Sequence, residues 1–213
     1  MIKGSHHVLY EKFFDLYLGW ITGKDFHDHR IIIPDGDKTT ITAQLAGHSI
    51  LMIGNHFSWW DGFIARHVSK QLLKRRLYVM MLEDQLRSRM FLSRIGAFSI
   101  RQNHRSAVES LHYAAGLLRD PANVVVMFPQ GKFQSVYHYP LDFENGWFRA
   151  LKMAAGHTKV VFMANLVDYF SNRKPSLNTY LHAVETALPD ASAVEQAYNL
   201  FMKEAVEQQG RFQ

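Results

Sequence analysis

The sequence predicts an α/β fold: a mixed, largely parallel central sheet flanked by helices, with an N-terminal amphipathic helical appendage. Three observations carry this. Short, nearly continuous apolar runs recur as 49-SILMIG-54, 77-LYVMML-82, 123-NVVVMF-128, 160-VVFMANLV-167 and 178-NTYLHAV-184. Segments of helical spacing lie between them. Strands apolar at every position are buried on both faces, as in parallel sheets covered by helices. No repeat, low-complexity tract or linker interrupts the series. An N-terminal segment 1–29 and one domain over 30–213 therefore account for the 213 residues, enough for one sizeable core.

Taken in order, residues 8–21 place Leu9, Phe13, Leu16 and Trp20 at steps of three and four, widened by Phe14, Tyr17 and Leu18. That is a helix with one apolar stripe. It predicts docking on the domain, or a place in a lipid headgroup layer, where Trp and Tyr are favoured. The run 39-TTITAQL-45 reads as a strand, and the early strands around 30–45 are expected to pair antiparallel. Helical patterns follow over 61–73, 106–118 and 144–155. A last one near 193–209 has Asp190 or Ser192 in place to cap it.

Composition narrows the chemistry. The chain has no cysteine, which excludes disulfides, zinc–thiolate sites and a thiol nucleophile. Net charge is +5, yet the span from Arg66 to Arg105 holds ten basic residues against Glu83 and Asp84. Such clustering points to an anionic partner, a phospholipid surface or a phosphorylated substrate, unless it is only a set of solvated helix faces. Nucleic acid is not expected, because only Tyr78, Phe91 and Phe98 interleave the cations and no recognition module is evident. Neither a secretory signal nor a spanning helix is legible. The expectation is a cytoplasmic protein held peripherally on the inner face of a membrane.

The stretch 51-LMIGNHFSWWDGF-63 concentrates the reactive side chains. A bare His-x-x-x-x-Asp match carries little weight, because short pairs arise by chance. In a straight helix five steps of about 100° leave the two side chains roughly 140° apart. His56 and Asp61 meet only if a turn separates them, and the strand ending at Gly54 before a helix near Asp61 supplies one. An imidazole whose other nitrogen is held by a carboxylate can take a proton from a hydroxyl. The bland alternative is a structural link capping the helix. A serine nucleophile is not supported: in 47-GHSIL-51 Leu51 stands where a nucleophile elbow needs glycine. No His, Asp and Glu share one helix face at ligand spacing, so no metal is expected.

Together these segments resemble the glycerolipid acyltransferase family, which contains lysophosphatidic acid and glycerol-3-phosphate acyltransferases. NHFSWWD is similar to its first block, 96-GAFSIR-101 to its second, 128-FPQGKF-133 to its third, and VVFMANL to its fourth. The resemblance implies an enzyme of phospholipid biosynthesis that transfers a fatty acyl group directly, without a covalent intermediate. The donor would be acyl-CoA or acyl carrier protein, with no further cofactor. The acceptor would be a hydroxyl or amine of a lysolipid-like molecule. It implies His56 as general base and Asp61 as its orienter, with Asn55, Gly96, Phe98, Arg101, Gln130, Gly131 and Lys132 at the substrate. Oxyanion donors are expected among backbone N–H groups of the turn after the strand or beside Gly131.

Three departures stand out. Gln130 replaces the family's glutamate, Lys132-Phe133 its Thr-Arg, and Glu144 a common lysine. Phe133 cannot grip phosphate as an arginine fork does. This argues for an acceptor other than plain lysophosphatidic acid. It also leaves room for a catalytically weak, membrane-surface lipid-binding protein on the same scaffold.

Overall fold

A computed structural model describes residues 1–213 except positions 35, 102, 103, 145, 155, 186, 187 and 213 and the side chains of 104 and 105. The order is α1 (Val8–Asp25), β1 (His29–Ile32), α2 (Lys38–Gln44), β2 (Ser49–Gly54), α3 (Asp61–Val68), β3 (Arg76–Leu82), α4 (Glu83–Arg87), β4 (Ala97–Ile100), α5 (His104–Leu117), β5 (Asn123–Met127), α6 (Phe148–Met153), β6 (Thr158–Asp168), β7 (Ser176–Ala183) and α7 (Ala191–Gln209). A π-helical turn, Ser69–Leu73, continues α3, and a 3₁₀ turn, Met90–Arg94, precedes β4.

The strands form one seven-stranded sheet in the order β1-β7-β6-β2-β5-β3-β4. Every neighbouring pair is parallel except β6 with β7, which the short connection 169–175 folds back on itself. All six residues of β2 and all five of β5 are buried. Along β2, Ile50 and Met52 pack with Ile41 of α2 and Ile64, Ala65 and Val68 of α3. Leu51 and Ile53 point the other way, into a cluster with α5, α6 and α7. Period-two side-chain alternation in a strand covered on both sides produces that split.

The expected sheet with flanking helices is present, but four local details differ. Residues 39–45 are helical, not a strand. Asp37 caps α2 by accepting from Thr40 N–H at 2.7 Å, and Ile41 and Leu45, one turn apart, are the buried pair. The cap outweighs the β-branched run. The early strand β1 pairs parallel with β7, so the antiparallel pairing lies at β6–β7 instead. The helix expected over 144–155 is confined to Phe148–Met153, with positions 145 and 155 outside the described residues. The segment 83–100 adds α4 and β4, which spacing did not reveal.

The N-terminal helix turns its stripe outward. Leu9, Phe13, Leu16 and Trp20 are 82, 74, 76 and 65% exposed, while Glu11 and Phe14 are its buried residues. Phe14 packs on Phe63 and Phe91, with ring centroids 5.7 and 6.0 Å away. Glu11 accepts from Lys70 at 2.7 Å, and Asp15 accepts from Arg66 Nε at 2.6 Å. One aromatic anchor and a set of ion pairs thus hold α1 on α3. No helix among the described residues is long and apolar enough to cross a membrane.

Candidate active site

Parallel strands direct their carboxyl ends to one edge of the sheet, where chemistry tends to gather. At that edge β2 ends in Gly54, residues 55–60 reverse the chain, and α3 opens on Asp61. Asp61 is fully buried. Its Oδ2 accepts from His56 Nδ1 at 2.7 Å and from the backbone N–H groups of Phe57 and Ser58 at 2.9 and 3.0 Å. Burial pushes the Asp61 carboxyl above its ordinary value, while the bonds from His56, Ser58 and Phe57 pull it down. With a carboxylate on Nδ1, that nitrogen carries the proton and Nε2 is left as an acceptor.

Two phenylalanines frame the imidazole. Phe128 stacks on it at 4.6 Å and 14°, and Phe133 leans over it at 4.2 Å and 41°. The His56 side chain is 25% exposed and lines a pocket of about 270 Å³. Phe63, Leu77, Val79, Met81 and Leu92 are among its apolar walls, and Trp59, Phe133 and Arg89 also line it. A mostly apolar cleft with a few convergent polar groups is the usual form of a small-molecule site. This one has mostly apolar walls and includes the His56 imidazole in its lining.

The other expected substrate residues divide. Asn55 is buried beside His56, but its amide faces the sheet. It donates to Asn165 O at 2.9 Å and accepts from Asn165 N–H at 2.8 Å, tying β2 to β6. Gln130 is buried too, and its Oε1 accepts the His56 backbone N–H at 2.6 Å. Gly131 adopts φ +66° in the turn after β5, a conformation glycine takes freely. Lys132 is exposed beside it.

The second-block residues are elsewhere. Gly96 stands at φ +101°, where a Cβ would lie 1.9 Å from Leu77 O, so its role is close strand packing. Phe98 is fully buried on the α5 side, against Tyr113. Arg101 donates to Glu83 at 2.5 Å. None of these three lines the pocket, although Ile95 and Ala97 do.

The backbone amides considered as oxyanion donors are engaged within the protein. His56 N–H is on Gln130, those of Phe57 and Ser58 are on Asp61, and Gly131 N–H is on Phe128 O at 3.1 Å. Much of the basic cluster is engaged as well. Arg66 pairs with Asp15 and Glu11, Lys70 with Glu11, Arg76 with Asp120, and Arg87 and Arg101 with Glu83. Arg75 donates to the carbonyls of Leu45 and His48. Sequence reasoning missed Phe128, Gln134 and Arg89 as neighbours of the site. For Phe128 a signal existed, since it sits at the end of the strand bordering β2.

Fold and site together define an α/β protein with an imidazole–carboxylate pair at a strand end beside an apolar pocket. The chain matches the family model described as Acyltransferase over residues 35–165, more than half its length, and belongs to that family. Acyl transfer is the chemistry of the family. No curated protein sequence matches the chain.

Proposed function

We propose that the protein transfers a fatty acyl group from a thioester donor, acyl-CoA or acyl carrier protein, to a hydroxyl or amine of a lysolipid-like acceptor. The observation that carries this reading is the 2.7 Å contact between His56 and Asp61 beside an apolar pocket. Asp61 holds Nδ1–H, so Nε2 can remove the acceptor's proton as it attacks the thioester carbonyl. The tetrahedral intermediate then collapses, and the imidazolium returns the proton to the departing thiolate. Asp61 stabilises the cation in between. The acyl chain lies along the walls formed by Leu77, Val79 and Leu92.

The acceptor class follows from what surrounds the imidazole. Phe133, not a cation, covers His56, and Arg101 is paired with Glu83. This supports an acceptor whose head is not a phosphomonoester, because a dianion needs several donors, the ring over His56 offers none, and of the pocket's two arginines Arg66 is already paired with Asp15 and Glu11, which leaves Arg89. The protein works at a lipid surface, held there peripherally by the outward stripe of α1. Phe91, Met90 and Trp59, themselves exposed, extend that apolar surface.

The test is a thioester transfer assay over a panel of acceptors, with the His56→Ala variant beside the parent. Turnover should fall about 10²–10⁴-fold, the usual contribution of a general base, with the fold intact by circular dichroism. Near-parental turnover by purified His56→Ala overturns the mechanism. Preference for lysophosphatidic acid above all other acceptors overturns the acceptor class. A parent that binds vesicles but transfers nothing would favour a lipid-binding protein.

A further inference from the structure

We propose that Gln130 is a positioning residue for His56, and that the neutrality of its amide sets the pH range in which the His56–Asp61 pair can accept a proton. This rests on the reading of His56 as the base.

The geometry is a closed ring of hydrogen bonds between the turn after β2 and the loop after β5. His56 N–H donates to Gln130 Oε1 at 2.6 Å, Gln130 Nε2 donates to Gln134 Oε1 at 2.5 Å, and Gln134 N–H donates to His56 O at 2.8 Å. Both main-chain polar groups of His56 therefore end on residues 130–134. The same loop supplies Phe133 against the ring, and Phe128 immediately before it supplies the stacked face. Asp61 fixes one ring nitrogen, and the loop fixes the peptide from which the ring projects. Gln130 is only 4% exposed, and its amide is already occupied at both ends. It is therefore placed to hold the base, not to grip substrate.

Chemistry sets the amide's orientation. The His56 N–H can only donate, so Oε1 must face it, and Nε2 is then left needing an acceptor, which Gln134 provides. A carboxylate at position 130 could accept the same His56 bond, with Gln134 turning its own amide to donate. It would add one buried negative charge close to the imidazole. Such a charge favours the protonated ring. The other charged or titratable groups around this site are Asp61 from α3, Tyr198 of α7 close to Asp61, Arg66 and Arg89 lining the pocket, and Glu144 against Gly131 in the loop after β5, where the neighbouring Lys132 is exposed.

The experiment compares pH–rate profiles of the full chain and two variants. In Gln130→Glu the acid limb of kcat/KM should move upward by about one to two pH units, as expected for a nearby like-sized charge. Activity on that acid limb should then fall about 10-fold or more, with near recovery on the alkaline plateau. In Gln130→Met, which fills the space but cannot accept, kcat should drop about 10–100-fold, the scale of a slightly misplaced catalytic group. There KM should stay near parental and the acid limb should not move. If Gln130→Met does not fold, Gln134→Leu takes its place, with a smaller kcat loss of the same kind.

A raised acceptor KM with kcat intact would make Gln130 a substrate ligand and overturn the proposal, as would a Gln130→Glu acid limb superimposed on the parent's. The imidazole NMR signal of His56, assigned by its loss in His56→Ala, should titrate at higher pH in Gln130→Glu without any turnover being needed. A fully active His56→Ala defeats the proposed function. An inactive His56→Ala with an unmoved titration in Gln130→Glu defeats this inference alone.

Discussion

At Asp61 two demands oppose each other. The carboxylate must be ionised to hold the His56 proton, yet it is fully buried, and burial raises it above its ordinary value. A carboxyl raised in the folded state binds its proton more tightly there than in the unfolded chain. Stability therefore falls as pH rises through that window, and above it the ionisation of Asp61 is a cost. Asp61→Asn should leave the melting temperature at pH 7 equal to or above the parent's. It should lower kcat by about 10–10³-fold, because an amide orients the ring but does not stabilise the cation. A melting point several degrees lower would show that Asp61 is chiefly structural. Such a residue was readable as half of a pair. Its three hydrogen bonds on one oxygen were not, because two come from backbone N–H groups that any residue carries.

Among the elements, α1 does not dock its stripe on the domain, one of the two arrangements expected for it. Periodicity correctly identified a helix with an apolar stripe, but Leu9, Phe13, Leu16 and Trp20 face solvent while Glu11 is buried. Helical spacing marks which residues share a face and is silent on what that face meets. Arg66 on α3 and Lys70 on the π-helical turn that continues it decide this, by drawing Glu11 and Asp15 inward. An exposed stripe of this size normally marks an interaction surface. Each of its side chains is worth about 1.5–3 kcal/mol if fully buried in lipid. Replacing Leu9, Phe13, Leu16 and Trp20 together by serine should cut binding to phosphatidylglycerol vesicles at least about 100-fold. The melting temperature should stay within about 2 °C, because these side chains make little contact with the domain. Unchanged vesicle binding in a sedimentation assay would remove α1 from the membrane contact.

Across the molecule, the basic span 66–105 acts mainly as internal bracing. Glu83 is its hub: it accepts from Arg87 at 2.7 Å and Arg101 at 2.5 Å, and from Ser99 at 3.0 Å. These donors, Arg101 first, hold the Glu83 carboxyl down at about 2 against its usual 4.5. A depressed carboxylate contributes stability above its unfolded value and loses it as pH falls toward the folded one. Urea titrations at pH 6 should therefore show the parent more stable than Glu83→Gln, with the gap closing as pH drops from 4.5 toward 2. A gap that persists at the lowest pH would assign Glu83's contribution to packing. None of this pairing was visible in composition, since ten cations against two acids look like a free positive surface until Asp15, Glu11 and Asp120 arrive from elsewhere in the chain.

The sequence by itself determined the α/β class, the buried central strands, the turn that joins His56 to Asp61, and the family to which these blocks point. All of these rest on local order: runs of apolar residues, helical spacing, and a glycine between strand and helix. Only the tertiary structure decided which face of α1 is left bare, which carboxylates neutralise the basic span, and that Asn55 and Gln130 bind the protein's own backbone. Those outcomes depend on partners up to 110 residues apart. Burial and charge pairing are properties of the assembled neighbourhood, and no window of sequence contains it.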